Sequence, residues 1–255
     1  MLQIVELTPK KPELLTAVWR NGGGGFSGFG EVLRAAPASP SRTSLAIIQR
    51  HPSPTESKIY MTENLDQHFL NKVFEASGIT KEELKTIIPN YKEIKLNKND
   101  YLLKEGQVEK KYWFVESGFI RSYIIDTEGN DITFNLYSSK DVVIDYPSIF
   151  FFAPTRENIQ ALTDCVCWEI TFEDFQEMFN TISNYREQQR SLLVGSYFAL
   201  KNHSISLIAD EAKQRYLKLL KEKPHIIQNV SLKHIATFLG ITDTSLSRIR
   251  KEILS

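Results

Sequence analysis

The most informative stretch of the sequence is residues 230–250, which read VSLKHIATFLGITDTSLSRIR. Ser231 is a good N-cap, and the apolar residues that follow it have the spacing of one helix face: Leu232, Ile235, Ala236 and Leu239. Gly240 can adopt the left-handed backbone conformation that ends a helix. A second helix follows within a few residues, and the small Ala236 allows the two helices to cross closely. This pattern predicts a helix-turn-helix.

The second predicted helix has an apolar inner face and a polar outer face. Thr242 can cap this helix, and Leu246 and Ile249 form the inner face. The second helix of a helix-turn-helix lies in the major groove of DNA, where an arginine such as Arg248 can donate two parallel hydrogen bonds to guanine. Hydroxyl groups and free amides at the start of the helix suit phosphate oxygens. The predicted DNA-binding residues are Thr242, Asp243, Thr244, Ser245, Ser247, Arg248 and Lys251.

The distribution of charge along the chain agrees with this prediction. The 255 residues have a formal net charge of zero, yet residues 209–255 contain nine basic and five acidic residues, whereas residues 61–208 contain 15 basic and 22 acidic residues. A basic end attached to an acidic body is typical of a small phosphate-facing module. The alternative is a helical pair that serves only in packing, with Arg248 solvated.

A long helix is predicted before this motif, from about Ile182 to Ile208. Apolar residues recur in it at steps of three and four, interrupted at Ser204: Leu193, Tyr197, Leu200 and Leu207. This seam can pack on the body of the same chain or form a two-fold dimer interface, and we favour the dimer. A further helix is predicted from Ala209 to Lys221, ending before Pro224.

The middle of the chain, from about Tyr91 to Thr171, has the pattern of short strands. Apolar runs such as Tyr101–Leu103, Phe119–Ile125 and Ile132–Tyr137 are separated by turn residues, which predicts a sandwich or barrel. Further strands are expected at Asp141–Tyr146 and along Ile159–Ile170. The aromatic run Phe150-Phe151-Phe152 suits a core or a dimer surface, and alternatively the wall of an apolar ligand pocket. A short helix is expected at Phe172–Met178.

The first 60 residues differ from the rest. Six of the chain's 12 glycines lie within residues 21–30, and residues 35–54 are rich in Pro, Ser and Ala, so little apolar surface is available for burial. We interpret residues 1–60 as a disordered extension or an upstream artefact, with a natural start at Met61. A functional tail is the alternative.

The order of these parts resembles the Crp/Fnr family of bacterial transcription regulators over residues 65–255. The resemblance rests on turns at Gly106, Gly118 and Gly129, the long helix, and the recognition-helix pattern of residues 239–250. It implies an α+β fold with an N-terminal double-stranded β-helix (a jelly-roll-like β-roll) as sensor over residues 61–180, a dimerisation helix over 181–208 and a C-terminal (winged) helix-turn-helix over 209–255. The implied partners are double-stranded DNA, a second copy of the chain and RNA polymerase.

Three departures from the family pattern limit what the resemblance implies. Residues 141–149 lack the Gly-Glu pair that holds a cyclic-nucleotide phosphate, and Arg156 is only a weak candidate because Glu157 beside it opposes an anion. Cyclic AMP is therefore not expected, and the effector is unknown. The N-terminal cysteine cluster of oxygen sensors is absent, and Cys165 and Cys167 are expected to be packed thiols. The sequence stops soon after the recognition helix, so we expect no wing strand after it.

Other classes of function are not favoured by the sequence. No metalloprotease or serine-hydrolase motif occurs, so we expect a protein that is not an enzyme and needs no metal or cofactor. No run of about 18 apolar residues and no signal-peptide pattern occur, so we expect a cytoplasmic protein without membrane contact. The remaining alternative is a stand-alone β-roll that binds a small ligand and does not bind DNA.

Overall fold

The computed structural model describes residues 65–254. The interpretation of residues 1–60 as an extension or artefact lies outside the described residues and stays a prediction. Within the described part, no helix is both long enough and apolar enough to cross a lipid bilayer.

Two short helices precede the strands and cover one side of the body. They are α1 (Phe69–Phe74) and α2 (Lys81–Ile87), with single 3₁₀ turns at Leu65–Gln67, Glu75–Ser77 and Ile88–Asn90. The start of α2 is fixed by a capping box, in which Thr80 Oγ1 accepts from the Glu83 amide and the Glu83 carboxylate accepts from the Thr80 amide. Apolar residues also recur at helical spacing in this part of the sequence, which suits these short helices.

Within residues 65–254, eight antiparallel strands form two four-stranded sheets. Sheet 1 has the order β1-β8-β3-β6 and sheet 2 has the order β2-β7-β4-β5. The strands are β1 Lys92–Leu96, β2 Tyr101–Leu103, β3 Lys111–Ser117, β4 Ile120–Ile125, β5 Asp131–Tyr137, β6 Val142–Val143, β7 Asn158–Ala161 and β8 Cys165–Thr171. The apolar residues between the sheets, including Val115, Ile120 and Ile159, are fully buried. The predicted β-roll is therefore confirmed.

One tight turn of the roll requires glycine. Gly118, between β3 and β4, has a φ of +90°, and a Cβ atom there would lie 2.4 Å from the Asp164 carbonyl oxygen. Any side chain would collide with this backbone atom, so the glycine read from the sequence as a turn residue is a steric necessity.

Helices occupy the rest of the described chain. They are α3 (Tyr146–Phe151), α4 (Phe172–Thr181), α5 (Ser183–Ala209), α6 (Ala212–Glu222), α7 (Pro224–Asn229), α8 (Leu232–Phe238) and α9 (Asp243–Leu254). The start of α5 is held to sheet 1 by the hydroxyls of Tyr91, Tyr112 and Tyr185, which are buried and lie 2.8–3.4 Å apart. The predicted long helix is present within one residue of its expected bounds.

Two sequence expectations need correction, and one feature of the resembled family is absent from the helical part of the described chain. The stretch predicted as a strand at Asp141–Tyr146 forms only the two-residue β6 and then turns into α3, where Pro147 occupies the first turn and suits a helix start. The run Ile159–Ile170 forms two strands, separated by a turn at residues 162–164. Residues 172–254 contain no strand, so this part of the chain does not have the wing of the expected fold class.

Candidate nucleic-acid interface and sensor site

The two helices α8 and α9, with the turn between them, are called here the C-terminal helix pair (residues 231–254). Ser231 caps α8, with its Oγ accepting from the His234 amide. Gly240 follows the helix with a φ of +66°. Its amide donates to the Thr237 carbonyl, and the Ile241 amide donates to the Ala236 carbonyl, each at 3.0 Å. These two bonds form a Schellman motif, which explains why the chain turns sharply here.

The second helix of the pair begins at the predicted cap. Thr242 Oγ1 accepts from the Ser245 amide at 3.2 Å and donates to Ser245 Oγ at 3.0 Å. Leu246 is fully buried, and Ile249 packs on the same apolar cluster. The inner face is therefore the one read from the sequence.

The predicted DNA-binding residues lie together on the outer face of α9. Six of them are exposed and Ser245 is half-buried: Thr242, Asp243, Thr244, Ser247, Arg248 and Lys251. Among residues 65–254, the Arg248 guanidinium has no hydrogen-bond or ion-pair partner. This face is open to a ligand, and its contact with DNA stays a prediction.

The opposite side of the C-terminal helix pair packs against the edge of sheet 2. Leu136 of β5 joins one buried cluster with residues of α6 to α9, including Tyr216, Ile235 and Leu246. The Thr133 amide of β5 donates to Thr237 Oγ1 at 3.2 Å. Helix α8 therefore covers the outer edge of β5, where backbone groups would otherwise lack partners.

A buried arginine lies beneath this contact. The Arg121 side chain in β4 is 5% exposed and donates to both oxygens of Asp131, at 2.6 and 2.8 Å. It also donates to Gln160 at 2.9 Å, and Thr133 Oγ1 lies 3.2 Å from Nη1. Its Nη1 lies 2.9 Å from Nδ1 of His234 on α8. Sequence reasoning did not identify this group, although an arginine inside the apolar run Phe119–Ile125 was a visible signal.

Two more polar contacts join the roll to the helices. Lys223 forms an ion pair with Asp141 at 2.9 Å. Nε2 of His225 lies 3.0 Å from Ser138 Oγ, which also donates to Asp141. These contacts fix the junction of α6 and α7 to the connection between β5 and β6.

The long helix α5 leaves most of the predicted seam exposed. Leu193, Tyr197 and Leu200 are 50–61% exposed, and Val194 and Phe198 beside them are similarly exposed. Leu207 differs from the other seam residues, because its Cδ2 approaches the turn at Gly240 in the same chain. The apolar surface of α5 has no partner within the described part of the chain.

The place expected for an effector is acidic. Asp145, at the start of α3, is buried, and its Oδ2 has no hydrogen-bond partner within the described residues. Burial raises the pKa of Asp145. Burial, and then the negative charge of Asp145, raise the pKa of Glu157 to about 7, while Ser122 opposes the increase. The weak candidate Arg156 is exposed and has no ion-pair partner in residues 65–254. The sequence indicated Glu157 but not Asp145.

The aromatic run and the two cysteines are also placed by the structure. Phe150, Phe151 and Phe152 are 45–66% exposed, so they lie outside the core that residues 65–254 form. Cys165 and Cys167 are buried between the sheets as packed thiols, and burial raises the pKa of Cys167 to about 12. No group of three His, Cys, Asp or Glu residues able to hold a metal occurs in the described chain.

Comparison with known proteins shows which domain family the roll is similar to. Residues 93–182 match the family of the cyclic nucleotide-binding domain. This range runs from β1 to the residue before α5, so the match covers the roll and does not reach the C-terminal helix pair. A search of the curated proteins found no match.

Solved structures share the fold over a longer range. FixK2 from Bradyrhizobium japonicum is 16% identical, with a TM-score of 0.56 over 64% of this chain and 84% of that chain. A CooA mutant from Carboxydothermus hydrogenoformans is 18% identical, with a TM-score of 0.54 over 73% and 84%. A protein from Eubacterium rectale assigned to the transcriptional regulators of the crp/fnr family is 18% identical, with a TM-score of 0.52 over 69% and 83%. At these identities the likeness establishes the fold alone.

Proposed function

We propose that this chain is a transcription regulator that binds palindromic double-stranded DNA as a homodimer, under the control of a signal received by the β-roll. It acts by binding and not by catalysis, in the cytoplasm, where the DNA of a bacterium lies. Contact with RNA polymerase follows only from the resemblance to the Crp/Fnr family.

The observation that carries the proposal is the outer face of α9. A solvated polar face is common on amphipathic surface helices, so the proposal rests on which groups α9 presents and how they are arranged. Here the inner face is anchored by the buried Leu246, and the outer face presents a guanidinium, hydroxyls and the capped start of a helix to solvent. Those groups match guanine edges and phosphate oxygens in the major groove.

The exposed seam of α5 supports a homodimer. Soluble monomers rarely leave a continuous row of large apolar side chains such as Leu193, Tyr197 and Leu200 in water. Pairing α5 with the same helix of a second copy around a two-fold axis would bury this row and give two recognition helices related by symmetry. Half-sites about one helical turn apart would then form a palindrome.

The charge of the roll supports an effector other than a cyclic nucleotide. Asp145 and Glu157 lie in the segment in which the cyclic-nucleotide members of the resembled family hold the phosphate, and Arg156 points to solvent. These two carboxyl groups supply no positive charge for a phosphate, and either of them repels a phosphate when it is ionised. We therefore expect cyclic AMP to leave the thermal unfolding temperature of the protein unchanged.

The decisive experiment is the selection of bound duplexes from a random pool, followed by binding of the selected duplex over a series of salt concentrations. The proposal expects enrichment of a palindrome, and an affinity that falls linearly with the logarithm of salt concentration because counterions are released from phosphates. Enrichment of no sequence, together with no retardation of any duplex at low salt, would refute it and favour a stand-alone sensor.

A further inference from the structure

The contact between the roll and the C-terminal helix pair contains a group whose protonation state is fixed by geometry. Arginine has five N–H donors, carries no acceptor and stays charged in proteins. The 2.9 Å contact from Arg121 Nη1 to Nδ1 of His234 therefore requires that Nδ1 accept the hydrogen bond. His234 must then be the neutral tautomer that carries its proton on Nε2.

Protonation of His234 is incompatible with this contact. A second proton on Nδ1 would point at a donor and would place two cations 2.9 Å apart in a half-buried site. Burial lowers the pKa of His234, and the charge of Arg121 lowers it further. Asp131 of β5 and Asp243 of α9 oppose this effect, and Lys233 on the same helix adds to it.

Two other histidines near this contact make contacts that do not require a neutral ring. Ser138 Oγ gives its own proton to Asp141, so it accepts from Nε2 of His225. His203 of α5 stacks on the Phe238 ring at a centroid distance of 4.3 Å. Burial, and then the charges of Lys218 and Arg215, lower the pKa of His203, so its contribution is tested separately from that of His234. Substitutions of both residues therefore serve as controls for His234.

We propose that Arg121 and neutral His234 form a pH-sensitive latch that holds the C-terminal helix pair against the edge of sheet 2, and that protonation of His234 shifts the balance towards an undocked pair. Arg121 keeps its bonds to Asp131 and Gln160 when the latch opens. The roll therefore stays folded, and only the contact with the helices is weakened.

The direction of the pH effect follows from the lowered pKa of His234. Docking requires the neutral ring, so the docked state is favoured above the ordinary histidine pKa of about 6.5 and is weakened as the pH falls below it. Docking lowers the proton affinity of His234 by some factor. In acid, the ratio of undocked to docked chains rises by that same factor.

One backbone amide reports on docking directly. The Thr133 amide donates to Thr237 Oγ1, a bond that exists only while α8 lies against β5. The Phe172 amide donates to the Lys110 carbonyl within the roll, so it exchanges with solvent only when the roll itself opens. Hydrogen exchange of both amides, measured by NMR on the full chain at pH 7.5 and 5.5 and divided by the intrinsic rates, separates undocking from unfolding.

In the wild type we expect protection of Thr133 to fall at the lower pH while protection of Phe172 is retained. His234→Asn keeps an acceptor near the position of Nδ1 and cannot be protonated, so its Thr133 protection should not change with pH. His203→Gln and His225→Gln should behave like the wild type. No fall in the wild type, or a fall that persists in His234→Asn, would overturn the latch.

A second measurement covers the case in which His234→Asn does not fold. Titration of the His234 ring proton signals in the wild type should give a midpoint below that of an exposed histidine, and a midpoint at or above that value would overturn the latch. The consequence for DNA rests on the proposed function: acid should change the affinity for the selected duplex. Because exchange is measured without DNA, a protein that passes the exchange test and binds no duplex refutes the proposed function and leaves the latch intact.

Discussion

The inner and outer sides of the C-terminal helix pair differ in whether their polar side chains have partners within the described chain. On the inner side, Arg121, Thr133 and His234 find partners across the boundary between the roll and the helices. On the outer side, Arg248 finds none in the described chain. The exposed apolar seam of α5 likewise has no packing partner within the described chain. The inner side therefore holds the molecule together, and the outer surfaces are free for the DNA and the second copy proposed above.

The largest effect on the outer surfaces is expected from substitutions in the apolar seam of α5. Replacing Leu193 and Leu200 together with glutamate should give monomers, because charges would repel across a two-fold axis. Specific DNA affinity should then fall towards the non-specific level, a loss of about 4–10 kcal/mol. Sedimentation velocity and titration of the selected duplex measure the two effects. Leu217→Glu, at an exposed leucine on α6, is the control. A double variant that remains a dimer would remove the assigned interface.

The contribution of the inner side to stability is tested with two arginine–carboxylate pairs, one buried and one exposed. Arg121→Met leaves Asp131 without its buried partner and should lower the free energy of unfolding by about 3–5 kcal/mol. Arg190→Met breaks the exposed pair with Glu187, where the loss should be at most about 1 kcal/mol. Urea unfolding monitored by circular dichroism provides both values. Equal losses would show that the buried network contributes nothing beyond a surface pair.

A substitution of Arg248 tests the outer side of the C-terminal helix pair alone. Arg248→Ala should weaken binding to the selected duplex by about 1–3 kcal/mol and relax the preference at one base pair, since a bidentate contact to guanine is lost. The free energy of unfolding should not change. Arg156→Ala removes an exposed arginine from the roll and should leave DNA binding unaltered. Unchanged affinity and base preference in Arg248→Ala would contradict its assigned role.

The smallest effects should come from two threonines on opposite sides of the helix pair. Thr237→Val removes the acceptor of the Thr133 amide and should reduce the free energy of unfolding by about 1 kcal/mol with little change in DNA affinity. Thr244→Val alters an exposed residue of α9, so unfolding should stay within about 0.5 kcal/mol while DNA affinity falls. Urea unfolding and duplex titration of both variants measure the two effects. If Thr237→Val lowered DNA affinity and Thr244→Val lowered the free energy of unfolding, the assignment of the inner side to stability and the outer side to DNA would be wrong.

The features that could be predicted from sequence are those encoded by local spacing. Strands β4 and β5 follow from alternation on either side of a turn, and the faces of α9 follow from Leu246 and Ile249 at helical spacing. Helix α3 was not predicted because its apolar run, which includes Phe150–Phe152, shows no periodicity. A short run without periodicity does not distinguish a buried strand from the exposed end of a helix.

The latch could not be predicted because its members are distant in sequence. Arg121 and His234 are 113 residues apart, and nothing local indicates that β4 meets α8. A single arginine in an apolar strand shows only that some buried acceptor must exist. Asp145 was missed for the same reason, since its burial depends on how α3 folds back over the roll.

The covering of β5 by α8 has a consequence for fragments of the protein. A chain shortened before residue 209 would expose an unpaired strand edge beside Leu136, which is buried in the intact chain. Open edges of this kind pair with one another and start aggregation. The helices that present Arg248 to solvent therefore also keep the roll soluble, and the isolated roll should precipitate unless a substituted charge on β5 blocks strand addition.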